Sequence, residues 1–218
     1  VWVTNLGSDS VTKFSNNGVY IGKYSVGDQP TGIAVDSYNN VWVMNKNHNN
    51  ITKLSNNGSF IGKYGLAGNC QGYGIAVDLN DSIWATCVGN QSVYKFNNSG
   101  DLQGVYQMGW PYGVTVDGNN NIWVSSNGDA SVFKLYSNGT IAGNYSVGTS
   151  SHTGISVDEE GNIWVTNEAT NSITKVNGTN GNAIGTYFTG DSPEVNYRYS
   201  PFSLGDMTGF TLRKIVLK

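Results

Sequence analysis

One sentence is written four times along this chain. "PTGIAVDSYNNVWVMN", starting at Pro30, returns as "GYGIAVDLNDSIWATC", "PYGVTVDGNNNIWVSS" and "HTGISVDEEGNIWVTN". No other feature constrains the fold as strongly, because a unit this short cannot bury its apolar face alone and must stack on its copies. Trp2, Trp42, Trp84, Trp123 and Trp164 fall in phase, with a period of about 40 residues, the length of a propeller blade. Each period splits into four short runs, "GIAVD", "VWVMN", "NITKL" and "FIGKY" in the second. Rich in Val, Ile, Thr and Tyr and broken by turns such as "NNG", these runs exclude a helical period and read as β-strands. The first two alternate weakly and are expected inside; the last two alternate more clearly and are expected outside.

The expected fold is all-β: a five-bladed β-propeller with four antiparallel strands per blade, forming a single domain over residues 1–218. The chain opens on a second strand, "VWVTN", and the missing first strand is supplied by "TGFTLRKIVLK" from Thr208. That pairing would close the ring and remove its open edges. A six- or seven-bladed parent would show the same repeats. An insert at 190–207, with Pro193, Pro201 and several aromatic residues, breaks the period. It reads as a cap on the mouth, an aid to closure or a partner surface.

Asp36, Asp78, Asp117 and Asp158 each end a first strand and open a polar turn. A short carboxylate there accepts local backbone N–H groups, so these are read as turn residues rather than metal ligands. The in-phase tryptophans are read as core between blades. Cys87 replaces the Asn that ends other second strands, and Cys70 sits in a local expansion, "GLAGNC". With Gly74 expected opposite Cys87, the two departures meet, and a disulfide is favoured over two buried thiols.

Only 12% of residues are charged and the net charge is −3. Without Lys/Arg clusters to neutralise phosphates, a nucleic-acid partner is not expected. No apolar run is long enough for a membrane-spanning helix, so no membrane insertion is expected. A chain with neither an initial Met nor a signal peptide reads as a mature or excised product. Sequons at Asn50, Asn57, Asn80, Asn90, Asn97, Asn138, Asn144 and Asn177 fit an exported, extracellular or cell-surface glycoprotein.

On "GIAVDSYNNVWVMN...ITKLSNNG" the chain resembles NHL-type repeat propellers, most closely the streptogramin lyase-like (virginiamycin B lyase-like) group. The resemblance implies a funnel whose ligands sit at the central mouth, formed by first-strand starts and second-to-third strand loops. It also implies, for the lyases, a metal-assisted site of His and Glu on the mouth loops. Here only His48 and His152 are present. His152, in "SHTGI", and Glu168, in "TNEATN", are placed to face the mouth, whereas His48 has no Glu nearby in sequence and the set is incomplete. His152 would be the general base, with Glu168 orienting it or both holding a metal.

Just before each first strand lie Gln29, Gln71 with Tyr73, Trp110 with Tyr112, His152 and Asp206, expected to converge near the axis. Aromatic rings and amides suit a neutral polar ligand such as a sugar, although Trp110 and Tyr112 also suit a plug of the channel. The leading expectation is a non-enzymatic exported binding or structural module, needing no cofactor, with a protein or glycan partner or self-association. The alternatives are a metal-assisted lyase or hydrolase at the mouth and a lectin-like, glycan-binding propeller.

Overall fold

A computed structural model describes residues 1–148 and 152–188, and in these the repeat becomes five antiparallel sheets in chain order. Sheet 1 holds β1 (Trp2–Asn5), β2 (Ser10–Phe14) and β3 (Tyr20–Ser25). Sheet 2 holds β4 (Pro30–Val35), β5 (Val41–Asn45), β6 (Asn50–Leu54) and β7 (Phe60–Gly65). Sheet 3 holds β8 (Gly72–Val77), β9 (Ile83–Cys87), β10 (Ser92–Phe96) and β11 (Leu102–Gln107). Sheet 4 holds β12 (Pro111–Val116), β13 (Ile122–Ser126), β14 (Ser131–Leu135) and β15 (Ile141–Ser146). Sheet 5 holds β16 (His152–Val157), β17 (Ile163–Asn167), β18 (Ser172–Val176) and β19 (Ala183–Phe188). The chain is all-β in these residues apart from two single 3-10 turns, Leu6–Ser8 and Glu168–Thr170.

Neighbouring sheets pack through their first strands, β4 on β8, β8 on β12 and β12 on β16. The glycine in each "TGI" or "YGV" permits this. A Cβ on Gly32 would stand 2.6 Å from the Tyr73 carbonyl oxygen, and one on Gly74 equally close to that of Tyr112. Only glycine lets the two backbones approach so closely. A bulge follows the start of each first strand, so Gly72 rather than Gly74 lies opposite Cys87. Cys70 and Cys87 are joined by a disulfide, with Cα atoms 4.6 Å apart.

Burial divides the strands differently from the sequence pattern. The third strand is not an outer one: β6 is buried along its whole length, and only the fourth strands expose alternate residues. Third strands lie between a second and a fourth strand and under the next sheet, so both of their faces are covered.

The tryptophans are core, with Trp42, Trp84 and Trp123 fully buried. The repeat aspartates do more than make turns. In Asp36, Oδ1 accepts the N–H groups of Tyr38 and Asn40 while Oδ2 accepts the Trp42 indole N–H at 3.0 Å. Asp78 and Trp84, Asp117 and Trp123, and Asp158 and Trp164 repeat the indole bond at 2.9–3.0 Å. A buried indole N–H needs an acceptor, and the carboxylate satisfies it while closing the hairpin.

The sheets are also gripped from outside. In sheets 1 to 4 a tyrosine of the outermost strand packs on its own sheet's tryptophan and lies over the next sheet's turn glycine: Tyr24 on Gly58, Tyr64 on Gly100, Tyr106 on Gly139, Tyr145 on Gly181. These glycines have positive φ, and any Cβ would overlap the ring. Beside each tyrosine a lysine lies over the same tryptophan and donates to a carbonyl of that next turn: Lys13 to Asn56, Lys53 to Asn98, Lys95 to Ser137 and Lys134 to Gly178.

Sheet 1 has three strands, and β1 carries the register of a second strand: Trp2 pairs with Lys13 as Trp42 pairs with Lys53. Its first-strand edge is unfilled among the described residues, and Val3 is 43% exposed where Val43 is fully buried. The insert 190–207, Asp206 and the expected closing strand from Thr208 lie outside the described residues.

Candidate ligand-binding mouth

The residues just before β4, β8 and β12 share one unusual backbone. Gln29, Gln71 and Trp110 have φ of 51°, 46° and 24°, a left-handed conformation that costs a non-glycine residue about 1 kcal/mol or more. Hydrogen bonds hold it in place. The Gln29 N–H donates to Asp9 Oδ1 and the Gln71 N–H to Asn49 Oδ1. The Gln29, Gln71 and Trp110 carbonyls accept the N–H groups of Lys46, Val88 and Asn127. First-strand starts are thereby tied to the loops that follow the second strands.

Immediately after this kink the side chains meet. The Tyr73 and Tyr112 rings lie 4.7 Å apart at 38°. Lys46 Nζ donates to the Tyr73 hydroxyl at 2.7 Å and lies 4.5 Å from the ring centre. Burial pushes the Tyr112 hydroxyl above its ordinary pKa and Tyr73 adds to this, while the Asn127 hydrogen bond and the Lys46 charge offset it and Glu168 reinforces it. Trp110 is half exposed, its indole lying over Gly128. Gln29 is half-buried and Gln71 exposed. The arrangement is a two-ring shelf with one cation at its edge, amides beside it and an exposed indole nearby. Such groups take the apolar faces and hydroxyls of a polar ring ligand.

Lys46 and Asn127 were not legible as site residues. They occupy the position after the second strand, which Leu6, Val88 and Glu168 fill in other sheets. Comparing that column across the repeats was the signal available.

The His/Glu pair is differently placed. His152, expected to face the mouth, is fully enclosed at the start of β16, opposite Asn167. Burial pushes its pKa below the ordinary histidine value, and the nearby Thr166 backbone, Asn167 side chain and Ala130 backbone only partly counter this. Neither ring nitrogen makes a well-formed hydrogen bond, so the ring is a neutral core group. Glu168 opens the 3-10 turn after β17, half-buried. His48 is exposed, its Nδ1 accepting the Asp28 N–H at 2.9 Å. Among the described residues no three His, Cys, Asp or Glu side chains gather as a metal site, and a fully enclosed His152 does not fit a catalytic divalent metal, which needs several ligands and an open position.

The sequons divide into two kinds. Asn57, Asn80, Asn138 and Asn144 are exposed. Asn50 is buried and donates to the His48 carbonyl, Asn90 donates to the Ala67 carbonyl and the Tyr94 hydroxyl, and Asn97 donates to Asp101. Asn177 accepts two N–H groups of its own turn.

Known structures share this fold. A streptogramin B lyase structure superposes with a TM-score of 0.80 at 22% identity, covering 88% of this chain and 66% of that one. A catalytically inactive virginiamycin B lyase from Staphylococcus aureus with quinupristin gives 0.81 at 17% identity, covering 94% and 70%. A functionally unknown protein from Desulfotomaculum acetoxidans gives 0.73 at 14%, covering 87% and 66%. The chain thus spans about two thirds of the length of these structures. No curated protein matches it in sequence. The virginiamycin B lyase family pattern matches residues 1–183, and the chain belongs to that family.

Proposed function

We propose that this chain is an exported binding module that takes a polar, ring-bearing ligand, of the glycan class, at the mouth. The observation that carries this reading is the Tyr73–Tyr112 shelf with Lys46 bonded at its edge, next to three kinked residues held in a costly conformation. Strain of this kind persists where surrounding structure holds it, often at ligand sites. The Cys70–Cys87 disulfide and the exposed sequons support a role in an oxidising compartment. Residues 208–218 are proposed to fill the open first-strand edge of sheet 1, making five four-stranded blades.

Titration with neutral and acidic oligosaccharides, read by the fluorescence of half-exposed Trp110, tests the reading. Tyr112→Ala should weaken binding at least tenfold without changing the melting transition of the other sheets. Unchanged binding in that variant would overturn it. The rival, a metal-assisted lyase like the family's named members, would need a further metal donor from outside the described residues. It predicts metal-dependent turnover lost in Glu168→Gln.

A further inference from the structure

The seams between sheets repeat one lysine grip, and at the seam between sheets 2 and 3 the groups around that lysine form a reactive set. Lys95 and Lys134 donate to the backbone carbonyls of Ser137 and Gly178, residues that carry no carboxamide. Lys13 reaches the side chain of Asn56 as well as its carbonyl, but Asn56 is exposed and no carboxylate pairs with Lys13 among the described residues.

Around Lys53, an amine, a carboxamide and a carboxylate close on one another. Lys53 Nζ donates to Asn98 Oδ1 at 2.9 Å and lies 4.0 Å from Asp36 Oδ2. Asn98 Nδ2 donates to that same Asp36 oxygen at 2.8 Å. Lys53 and Asp36 are buried, Nζ stands 4.5 Å from the centre of the Trp42 ring, and Asn98 is half-buried.

Desolvation favours the neutral, nucleophilic form of an amine. Burial lowers the Lys53 pKa, against the opposing charges of Asp36 and Asp81. Its target is held in contact, and fixed geometry of this kind supplies much of the rate of an intramolecular reaction. Burial would raise the Asp36 pKa, but bonds from Trp42, Asn40 and Asn98 outweigh it and keep the carboxylate, the form that accepts a proton. One Asp36 oxygen touches the leaving nitrogen and lies beside the attacking one, so it can take a proton from the second and pass it to the first.

We propose that this is a modification site, where Lys53 and Asn98 condense to an intramolecular isopeptide bond with Asp36 as proton relay. The Nζ–Cγ bond forms and the Cγ–Nδ2 bond breaks. The two protons that the lysine ammonium sheds leave with Nδ2 as an ammonium ion, and nothing is oxidised or reduced. Half-buried Asn98 gives that ion a way to solvent. The bond ties β6 of sheet 2 to the outer turn of sheet 3, and its loop encloses the one closed by Cys70–Cys87.

The test is the intact mass of the folded 218-residue chain, measured after denaturation and reduction and followed by tryptic mapping. The mass should fall one ammonia short of the sequence. The peptides carrying Lys53 and Asn98 should emerge as one branched species, with no cleavage after Lys53. Lys53→Arg, which keeps the charge without the nucleophile, and Asn98→Ala, which removes the target, should each have full mass. Asp36→Asn should lose the bond. Asp78→Asn disturbs the equivalent turn and indole bond in sheet 3 and should keep it. A chain of full sequence mass overturns the inference, as does a missing ammonia that maps to one linear peptide, such as a cyclised Asn-Gly turn. Loss of the bond in both aspartate variants, or in neither, overturns the role given to Asp36.

Discussion

Lys53 and Lys175 occupy the same place in sheets 2 and 5, each over its own tryptophan, yet their environments are opposite. At the seam between sheets 2 and 3, Lys53 is buried and bonded to the Asn98 carbonyl and side chain. Burial pulls its pKa down, against the pull of Asp36 and Asp81. On the open face of sheet 5, Lys175 hydrogen bonds to Asp158, which raises its pKa; slight desolvation opposes this and Glu160 adds to the rise. Local sequence supplies the same lysine, and the next sheet determines what it does. A covered grip contributes packing and desolvated hydrogen bonds, whereas the lysine of sheet 5, with no turn over it among the described residues, is taken up by an ion pair within its own sheet that solvent partly screens.

The sharpest break of that comparison is at the tryptophans. Trp84→Ala empties a fully buried site and should cost about 3–5 kcal/mol in urea unfolding. Trp2→Ala, on half-buried β1, should cost roughly half of that. Equal losses would mean that sheet 1 is as enclosed as sheet 3. Reducing Cys70–Cys87, which closes a loop of sequence separation 17, should remove about 3 kcal/mol by chain entropy. The shift should appear in the unfolding midpoint with and without reductant.

The tyrosines sharpen the contrast further. Tyr64→Ala should cost about 2 kcal/mol, because its ring covers both Trp42 and Gly100, and Tyr187→Ala, at a ring 48% exposed, well under about 1 kcal/mol. Thermal melts of the paired variants at low concentration provide the measure.

The smallest effects are those of pH. Burial would raise the Asp158 carboxyl, but the Trp164 indole, the Asn162 backbone and side chain, and Lys175 outweigh it and hold it at about 2. A folded pKa below the unfolded value gives stability that is complete above pH about 4 and lost as pH falls toward 2. Solvent screening leaves this at roughly 1 kcal/mol. Asp158→Asn should flatten the pH dependence of stability in that window. His152 acts in the same direction at higher pH. Its buried ring resists the proton that the unfolded chain accepts near pH 6.5, so stability should decline as pH falls through that value, and His152→Gln should remove the decline.

Much of the fold was legible because it is written in period and punctuation. The in-phase tryptophans give the repeat length, and "NNG" marks the outer turns. The aspartates close the turns after first strands, as their place before four polar residues suggested. Their second oxygen was not legible. Asp36 and Trp42 are six residues apart, and only the hairpin's curl turns the indole N–H toward the carboxylate. The side-chain cluster at the first-strand starts was half legible. Tyr73 and Tyr112 were placed by repeat position, but Lys46 joins them only because the left-handed Gln29 brings the loop after β5 back over the first-strand starts. His152 stood at the mouth by position and proved to be enclosed, since the bulge at the start of β16 sets it against Asn167.

The sequence by itself determined the strands, their order within each sheet and the columns of Trp, Asp, Lys and Tyr, because period and turn chemistry act within some 40 residues. Tertiary structure decided which of those identical columns are covered, which lysine is desolvated and which is paired, and which ring residues meet at the mouth. Those outcomes depend on surfaces brought together from different sheets, and local sequence carries no record of what will pack across a seam.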